Sequence, residues 1–483
     1  MKKRALAIAL AAGSPLFSLG AAHANGNGHG HDHDSAPDIE ALQELGKRVF
    51  FDNISDPARQ SCSSCHSSAN GWTGPSDLIN RTIVANPGAD PRTVGGRKPP
   101  TIAYAFVSPT FGDSALAPFP GACDANIVGV FCGGGVFWDG RATGEFVGNE
   151  VFAGDSDLQA SYSAFLGPLA DQALGPFPND VEQNVPDGDD NGLPGAEAVC
   201  RHVKRADYSP LYRKAWGESI DCRESVVDIA FKRIAVAISS WEHSEEVNSF
   251  SSKRDIALAH DTDSTPGAFP LEDFSNKENL GHDLFYGVTS ALNPTGKNAN
   301  CSACHNSEGP GSTGAEPAQL YSDQGFHHLG LPPNFDIANF DAENPDFGLS
   351  HHTFPDDPGA SGHAGHFRTP TLRNVAKKVN RNFTKAYMHN GYFKNLEDVV
   401  HFYNTATLKL DPVRCPAGTT AAQARRRDCW PQAEVNNGLQ ASGVGLLGNL
   451  GLTAAEEKAI VAYLETLSDT KTVQAPKKFK KWW

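Results

Sequence analysis

The sequence predicts a mainly α fold with long loops, in which two halves are related by an internal duplication. Segments 45–51 and 280–286 place apolar residues at helical spacing, and each precedes a motif of the same kind. Similar segments then follow in the same order, 97–102 in the first half and 368–372 in the second. No alternating series predicts a large sheet. The 47 glycines and 32 prolines among 483 residues interrupt regular structure often, which indicates long loops.

The N-terminus has the features of an export signal. Three basic residues at 2–4 precede an apolar run over 5–19, and Ala22 and Ala24 are small residues at the positions that a signal peptidase reads. The run is shorter than the roughly 20 residues that cross a bilayer. We therefore expect a signal peptide cleaved near Ala24, a periplasmic product and no membrane span.

The net charge of the chain limits the classes of partner that it can bind. The formal charge is -15, and removal of residues 1–24, which carry three basic and no acidic side chains, takes it to -18. A surface that binds nucleic acid needs a basic excess, so we expect no nucleic-acid partner. A protein partner with a basic patch would complement this charge.

Two motifs of the form Cys-x-x-Cys-His occur, CSSCH at 62–66 and CSACH at 301–305. In this spacing the two thiols can bond to the two vinyl groups of haem while the histidine ligates the iron. A zinc site would need further ligands in a compact module, and a redox disulfide would need a βαβ context. The motifs predict two covalently bound haem c groups, held by Cys62, Cys65, His66, Cys301, Cys304 and His305.

The other six cysteines form three close pairs in the sequence. Thiols oxidise outside the cytoplasm, so local disulfides are the simplest of the connectivities open to six cysteines. The expected pairs are Cys123 with Cys132, Cys200 with Cys222, and Cys415 with Cys429.

The two motifs divide the chain into domains. We expect two cytochrome-c-like haem domains, over 38–250 and 251–470. The signal peptide at 1–24 and a disordered, histidine-rich tail at 25–37 precede them, and a basic aromatic tail at 471–483 follows.

The ordered motifs resemble the bacterial di-haem cytochrome c peroxidase and MauG superfamily over roughly residues 39–470. They are CSSCH at 62–66, FWDGR at 137–141, DQALGPFPNDVEQ at 171–183, CSACH at 301–305, TPTLRNVA at 369–376 and MHNGYFKNLEDVVHFYN at 388–404. Insertions near 145–168 and around 415–429 depart from the family pattern. The resemblance implies that the first-domain haem meets peroxide and that the second-domain haem is six-coordinate and passes or stores electrons.

The same resemblance implies two catalytic side chains. Trp138 matches the tryptophan that relays charge between the haems, and Glu182 matches the glutamate that handles protons while the O–O bond breaks. Without the motifs around them, a core tryptophan and a surface loop glutamate would be the simpler interpretations.

The first iron has no obvious second ligand. No histidine lies between His66 and His202, and the chain beyond residue 24 has no methionine before Met388. Many relatives carry a distal histidine in that stretch, so its absence predicts a first haem that is open to peroxide without prior reduction. The alternative is a ligand from elsewhere in the chain, of which His202 is one.

Two residues compete for the second iron. Met388 is the one methionine after Met1, whereas the ligand position of the MauG branch falls at Tyr403. Tyr403 shares a predicted helix face with Leu396, Val399 and Val400, a pattern that a core tyrosine would also show. On the resemblance we favour Tyr403, whose phenolate would stabilise high oxidation states of iron and permit a bis-iron(IV) state.

The resemblance implies a calcium site between the two haems, and this chain departs from the family pattern there. Lys98 stands where the family usually has asparagine, and Ala386 replaces a proline. An ammonium cannot ligate a cation but can bind the carbonyls that would surround one. We therefore expect no calcium there.

Three functions fit these features. The first is an exported peroxidase that reduces hydrogen peroxide to water with electrons from a small redox protein, a cytochrome c or a cupredoxin. The second is a MauG-like enzyme that uses peroxide to oxidise a partner protein, although segment 297–300 lacks the tryptophan that MauG uses for this purpose. The third is a di-haem electron-transfer cytochrome without enzymatic activity. The sequence does not indicate an oligomeric state.

Overall fold

The computed structural model of the protein describes most of the chain beyond the N-terminal region. The described residues are 37–112, 132–187, 192–262, 268–307, 312–338, 340–436 and 445–477. The predicted signal peptide, nearly all of the histidine-rich tail, Cys123 and the last six residues lie outside these ranges.

Helices dominate the described residues, as predicted. They are α1 (Ile39–Phe51), α2 (Asp77–Arg81), α3 (Ser156–Tyr162), α4 (Pro168–Leu174), α5 (Ala196–Arg205), α6 (Ser209–Trp216), α7 (Val227–Glu242), α8 (Lys253–His260), α9 (Asn276–Tyr286), α10 (Ser350–Thr353), α11 (Leu396–Thr405), α12 (Ala421–Arg427) and α13 (Ala454–Glu465). A bilayer crossing needs roughly 20 apolar residues, and no helix in the described ranges provides such a stretch.

The one sheet in the described residues has two short antiparallel strands, β1 (Phe326–His327) and β2 (Phe367–Arg368), with Phe326 opposite Arg368. Long irregular segments connect the other elements, and they include short 3₁₀ turns at both Cys-x-x-Cys-His motifs. The prediction of a mainly helical fold with long loops is confirmed.

Side-chain caps fix where the central helices begin. The Asp38 carboxylate accepts a hydrogen bond from the Ala41 amide at 2.8 Å at the start of α1. Reciprocal capping boxes start α9 at Ser275 and α13 at Thr453. These caps satisfy amides that the first helical turn leaves without partners.

The helix before each motif crosses the last helix of its half at a glycine. A Cβ on Gly46 of α1 would lie 1.9 Å from the Ala237 carbonyl oxygen of α7, and a Cβ on Gly281 of α9 would lie 2.0 Å from that of Ala459 in α13. No side chain fits at either crossing, so both pairs of helices depend on glycine to approach this closely.

Two large hydrophobic clusters follow these crossings. One is formed mainly by residues 41–247 and the other by residues 257–467. Each contains the same arrangement of three packed rings, Phe50, Trp72 and Trp241 in the first and Phe285, Tyr321 and Tyr463 in the second. An internal duplication would produce this correspondence. The domain boundary at residues 250 and 251 stays a prediction.

Two of the three expected disulfides are formed. Cys200 bonds to Cys222 and Cys415 bonds to Cys429, each within its own half of the chain. The expected pair of Cys123 and Cys132 includes a residue outside the described ranges.

Candidate active site

Two cavities lie beside the two Cys-x-x-Cys-His motifs. The first cavity has about 1590 Å³ of space, open mouth included, and the second about 1460 Å³. The predicted haem-binding residues line them, Cys62, Cys65 and His66 in the first and Cys301, Cys304 and His305 in the second. Trp138, Arg368 and Pro370 line both, so the two cavities adjoin.

Both histidines are held in the same way. His66 Nδ1 lies 3.0 Å from the Trp72 carbonyl oxygen, and His305 Nδ1 lies 3.0 Å from that of Tyr321. A carbonyl can only accept, so Nδ1 carries the hydrogen and Nε2 keeps a free lone pair. Burial lowers the pKa of His66 to about 4 and also lowers that of His305. Both imidazoles are therefore neutral near pH 7, as iron ligands must be.

The four motif cysteines are half-buried and form no disulfide. Burial raises the pKa of Cys62, Cys65 and Cys301 to about 12, so these groups are thiols and not thiolates. Among the described residues, one trio could gather around a metal ion, namely Cys304, Asp323 and His327, whose ligand atoms lie within 4.8 Å of one another. It includes just one motif cysteine, so neither motif forms a zinc site of the usual kind.

Arg368 lines both cavities, and one of its N–H donors has no partner among the described residues. Its Nη2 donates to Ser108 Oγ at 3.2 Å and to Gln324 Oε1, whereas its buried Nε has no partner among the described residues. Burial lowers its pKa to about 10. A haem carries two carboxylates, which a buried guanidinium with a free donor would neutralise. Paired thiols, oriented imidazoles and this cation together fit haem in both cavities.

Glu182 lines the first cavity, where it could move a proton. It is half-buried, and Asn179 Nδ2 donates to its Oε1 at 3.1 Å. Burial raises its pKa, and the nearby Arg141 partly opposes this rise. A carboxyl with a raised pKa takes up and releases protons more readily near neutral pH.

The described residues that line the first cavity offer the first iron no second histidine and no methionine. His66 is the one histidine among its described lining residues, and no methionine lines it. His202, the alternative ligand, lies on α5 and directs Nε2 to Asp52 Oδ2 at 2.9 Å. It does not line the cavity.

Trp138 stands between the two cavities. It is 7% exposed, and its Nε1 donates to the Lys98 carbonyl oxygen at 2.7 Å. The Lys98 amide in turn donates to the His389 carbonyl oxygen at 2.8 Å, and the rings of His389 and Trp138 are 6.4 Å apart. These contacts tie the indole to residues from both halves of the chain.

The Lys98 side chain lies beside Trp138. It is 7% exposed, and its Nζ donates to the Pro99 carbonyl oxygen at 3.2 Å and lies 5.9 Å from the centre of the Trp138 ring. Burial lowers its pKa to about 8. An ammonium therefore occupies the region between the cavities, and the absence of calcium there stays a prediction.

Tyr403 and Met388 line the second cavity together. The Tyr403 hydroxyl lies 4.0 Å from Met388 Sδ, so the structure brings both candidate ligands to one place without choosing between them. Tyr403 lies on α11, and burial raises its pKa above the usual range. A metal ion at its oxygen would favour the phenolate instead.

Sequence reasoning missed two buried side chains that line the cavities. Glu242 is 2% exposed and ends α7 in the first cavity, and its Oε2 has no partner among the described residues. His389 is 3% exposed, stacks on Phe367 with 3.4 Å between ring centres, and has no described partner at either ring nitrogen. The available signal for Glu242 was an acidic residue directly after a buried helical stretch.

Known proteins are similar in sequence to this chain. The family model for di-haem cytochrome c peroxidase matches residues 40–263. The chain is 28% identical to the methylamine utilization protein MauG of Paracoccus denitrificans over 438 residues, 90% of either protein. It is 32% identical to the cytochrome-c peroxidase IdrP1 of Denitromonas iodatirespirans over 192 residues, 36% of this chain and 38% of the relative.

Solved structures share the fold. The diheme peroxidase BthA of Burkholderia thailandensis is 25% identical, with a TM-score of 0.59 over 90% of this chain and 87% of that one. A MauG-like protein associated with microbial copper homeostasis has a TM-score of 0.53 at 22% identity, over 95% of this chain and 100% of that one. With the two adjoining cavities, these similarities show that the chain is similar to di-haem cytochrome c peroxidases, and they support a peroxidase-type oxidoreductase.

Proposed function

We propose that this protein is a periplasmic di-haem c peroxidase that reduces hydrogen peroxide to water with electrons from a small redox protein, a cytochrome c or a cupredoxin. The observation that carries this proposal is the difference between the two cavities. Among the described residues, the first cavity is lined by Glu182 and by no histidine other than His66 and no methionine, whereas the second is lined by both Tyr403 and Met388 in addition to its histidine motif. An open cavity with a proton carrier suits a reaction, and a closed coordination sphere suits electron storage.

The protein's own residues would act as follows. Each motif histidine would hold an iron, while its Nδ1–H stays on a backbone carbonyl and fixes the ring. Bound haem supplies the iron at which the O–O bond of peroxide breaks. Glu182 accepts a proton from one peroxide oxygen and returns it to the other, so that a water molecule can leave. Two electrons and two further protons complete the conversion of one peroxide to two waters.

Trp138 would connect the two haems, because it lines both cavities and is fixed by the Lys98 carbonyl. Tyr403 would be the second ligand of the second iron. An anionic oxygen stabilises a higher charge on iron than a neutral thioether does, which suits a site that stores oxidising equivalents. Met388, next to it, provides the matched control.

The test begins with fully oxidised holoprotein. Peroxide is added without prior reduction, the haem spectrum is followed by stopped flow, and turnover is measured with reduced cytochrome c or cupredoxin. We expect a fast reaction that Glu182→Gln slows strongly. Protein that reacts with peroxide only after reduction, or not at all, would contradict the open first haem. Tyr403→Phe should change the coordination spectrum of the second haem and Met388→Leu should not, and the reverse result would assign the methionine.

The similarity to MauG over 90% of the chain supports a second candidate, oxidation of a partner protein by peroxide. Oxidation of a partner protein would begin with the same reaction with peroxide. The rate of peroxide turnover with a small redox donor therefore distinguishes the two candidate functions. Rapid peroxide consumption with a small redox donor favours the peroxidase. Slow consumption, with long persistence of the oxidised protein in the presence of that donor, favours a protein substrate.

A further inference from the structure

Glu242 is a buried carboxyl in the first cavity to which none of the roles above has been given. It is the last residue of α7 and lines the cavity together with Cys62 and His66. Its side chain is 2% exposed, and its Oε2 makes no hydrogen bond with any described atom. Asn248 Nδ2 donates to its backbone carbonyl at 2.7 Å, which fixes the end of the helix. Oε2 thus lies in a place where no described atom satisfies it.

The second cavity has a leucine at the matching position. The two helix crossings show which positions of the two halves correspond, because Gly46 contacts Ala237 in the first half and Gly281 contacts Ala459 in the second. Glu242 follows Ala237 at the same spacing at which Leu464 follows Ala459. Leu464 is 5% exposed and lines the second cavity. Each cavity lies beside a pair of crossed helices, three packed rings and a Cys-x-x-Cys-His motif, and the carboxyl of Glu242 is a further difference between the two cavities.

Burial leaves the Glu242 carboxyl protonated near pH 7. Burial raises its pKa to about 8. The other titratable or charged groups on the wall of the same cavity are Cys62, Cys65, His66, Arg97, Lys98, Tyr104, Arg141, Glu182 and Arg368. Cys62 is the one whose pKa responds to Glu242, and the bond to haem would remove its thiol proton.

Other ionisable groups on α7 and on the elements packed against it have partners of their own or are exposed. Lys47 pairs with Glu246, Arg48 with Glu44, Lys232 with Glu150, Arg201 with Glu197, and His202 with Asp52. Asp171 accepts from backbone amides, and Glu40, Lys204 and Arg205 are exposed. None of them compensates a charge on Glu242.

We propose that Glu242 is the redox-linked proton site of the first haem. When the haem gives one electron to an oxidant, Oε2 releases one proton to solvent, and when the haem is reduced, the proton returns. The net charge inside the cavity then stays constant, which matters because an added charge is costly in a region of low dielectric. This inference rests on the haem proposed for the first cavity and is independent of the substrate and the electron donor.

The test measures the midpoint potential of each haem against pH in the holoprotein, with redox mediators and without peroxide. One proton per electron lowers the potential by about 59 mV for each tenfold fall in proton activity. We expect this slope at the first haem of the wild-type protein and its loss in Glu242→Gln, which keeps the size of the side chain. Glu242→Leu, which installs the residue of the second cavity, should lose it as well.

An infrared difference spectrum between the reduced and oxidised protein supplies a second measurement. We expect the band of a protonated carboxyl to disappear on oxidation in the wild type and to be absent from Glu242→Gln. An unchanged potential slope in Glu242→Gln, or a carboxyl band that survives the substitution, would overturn the proposal. Both measurements omit peroxide, so a failed peroxidase assay would leave their outcome unaffected, and missing haem absorbance would reveal a failure of the haem assignment itself.

Discussion

Replacement of Lys98 by leucine should stabilise the protein at neutral pH. Lys98 is 7% exposed, and it forms no ion pair with any described carboxylate. Burial lowers its pKa from the ordinary 10.5 to about 8. Since each pKa unit corresponds to about 1.4 kcal/mol, the charged ammonium costs about 3 kcal/mol in the folded state. Loss of the Pro99 hydrogen bond and of the Trp138 ring contact destabilises the variant by about 1 kcal/mol. The free energy of unfolding of Lys98→Leu should therefore exceed that of the wild type by about 2 kcal/mol.

The stability advantage of Lys98→Leu over the wild type should decrease as the pH rises. The pKa of Lys98 is lower in the folded protein than in the unfolded chain. Between about pH 8 and pH 10.5 the unfolded chain therefore binds more protons, and the stability of the wild type rises with pH through this window. Leucine does not titrate. The advantage of Lys98→Leu is complete below about pH 8 and is gone by about pH 10.5.

The assay is guanidinium unfolding of both holoproteins, followed by far-ultraviolet circular dichroism at about pH 7 and about pH 10. Lys253→Leu is the control, because the Lys253 ammonium is exposed and pairs with Glu278 at 2.7 Å. We expect the control to change stability by less than about 1 kcal/mol at either pH. If Lys98→Leu is no more stable than the wild type at neutral pH, or keeps its full advantage at about pH 10, the reasoning is wrong.

Three further changes test the fold and the site. Gly281→Ala should destabilise the protein by at least about 2 kcal/mol, since the new Cβ would lie 2.0 Å from the Ala459 carbonyl oxygen, and an unchanged Tm would contradict the close crossing. Cys222→Ser removes the bond to Cys200, which links residues 22 apart, and should cost about 3 kcal/mol in guanidinium unfolding, whereas equal midpoints would show that the bond adds nothing. Glu182→Gln should slow the stopped-flow reaction with peroxide by about a hundredfold or more, and a wild-type rate would remove Glu182 from the proton transfer.

Local signals account for what the sequence predicted well. The helices before the two motifs follow from apolar periodicity over a few residues, and their glycines recur at the same place because both helices cross a partner at that point. The Cys-x-x-Cys-His spacing lies within five consecutive residues, and the structure places a cavity beside each motif, whereas the covalent attachment of haem there stays a prediction. Such patterns need no knowledge of the tertiary fold.

Long-range packing accounts for what the sequence left open or did not indicate. Glu242 ends a helix, where a carboxylate is usually solvated, and only the packing of α7 against the first cavity buries it. His202 was a candidate ligand until its contact with Asp52, 150 residues away, became visible. Tyr403 and Met388 stayed alternatives because α11 and the segment before it bring both side chains to the same cavity.

The hydrogen bond of Trp138 limits the states that its ring can adopt. Its N–H donates to the Lys98 carbonyl oxygen at 2.7 Å, an acceptor that cannot take up the proton at neutral pH. An indole that lost an electron would therefore remain a radical cation, and the Lys98 ammonium lies 5.9 Å from the ring centre. The like charge of the ammonium raises the energy of that radical cation, whereas the hydrogen bond only keeps the proton on the indole nitrogen. Charge that crosses between the cavities would thus pass through the indole without residing on it, which would protect the surrounding side chains from oxidative damage.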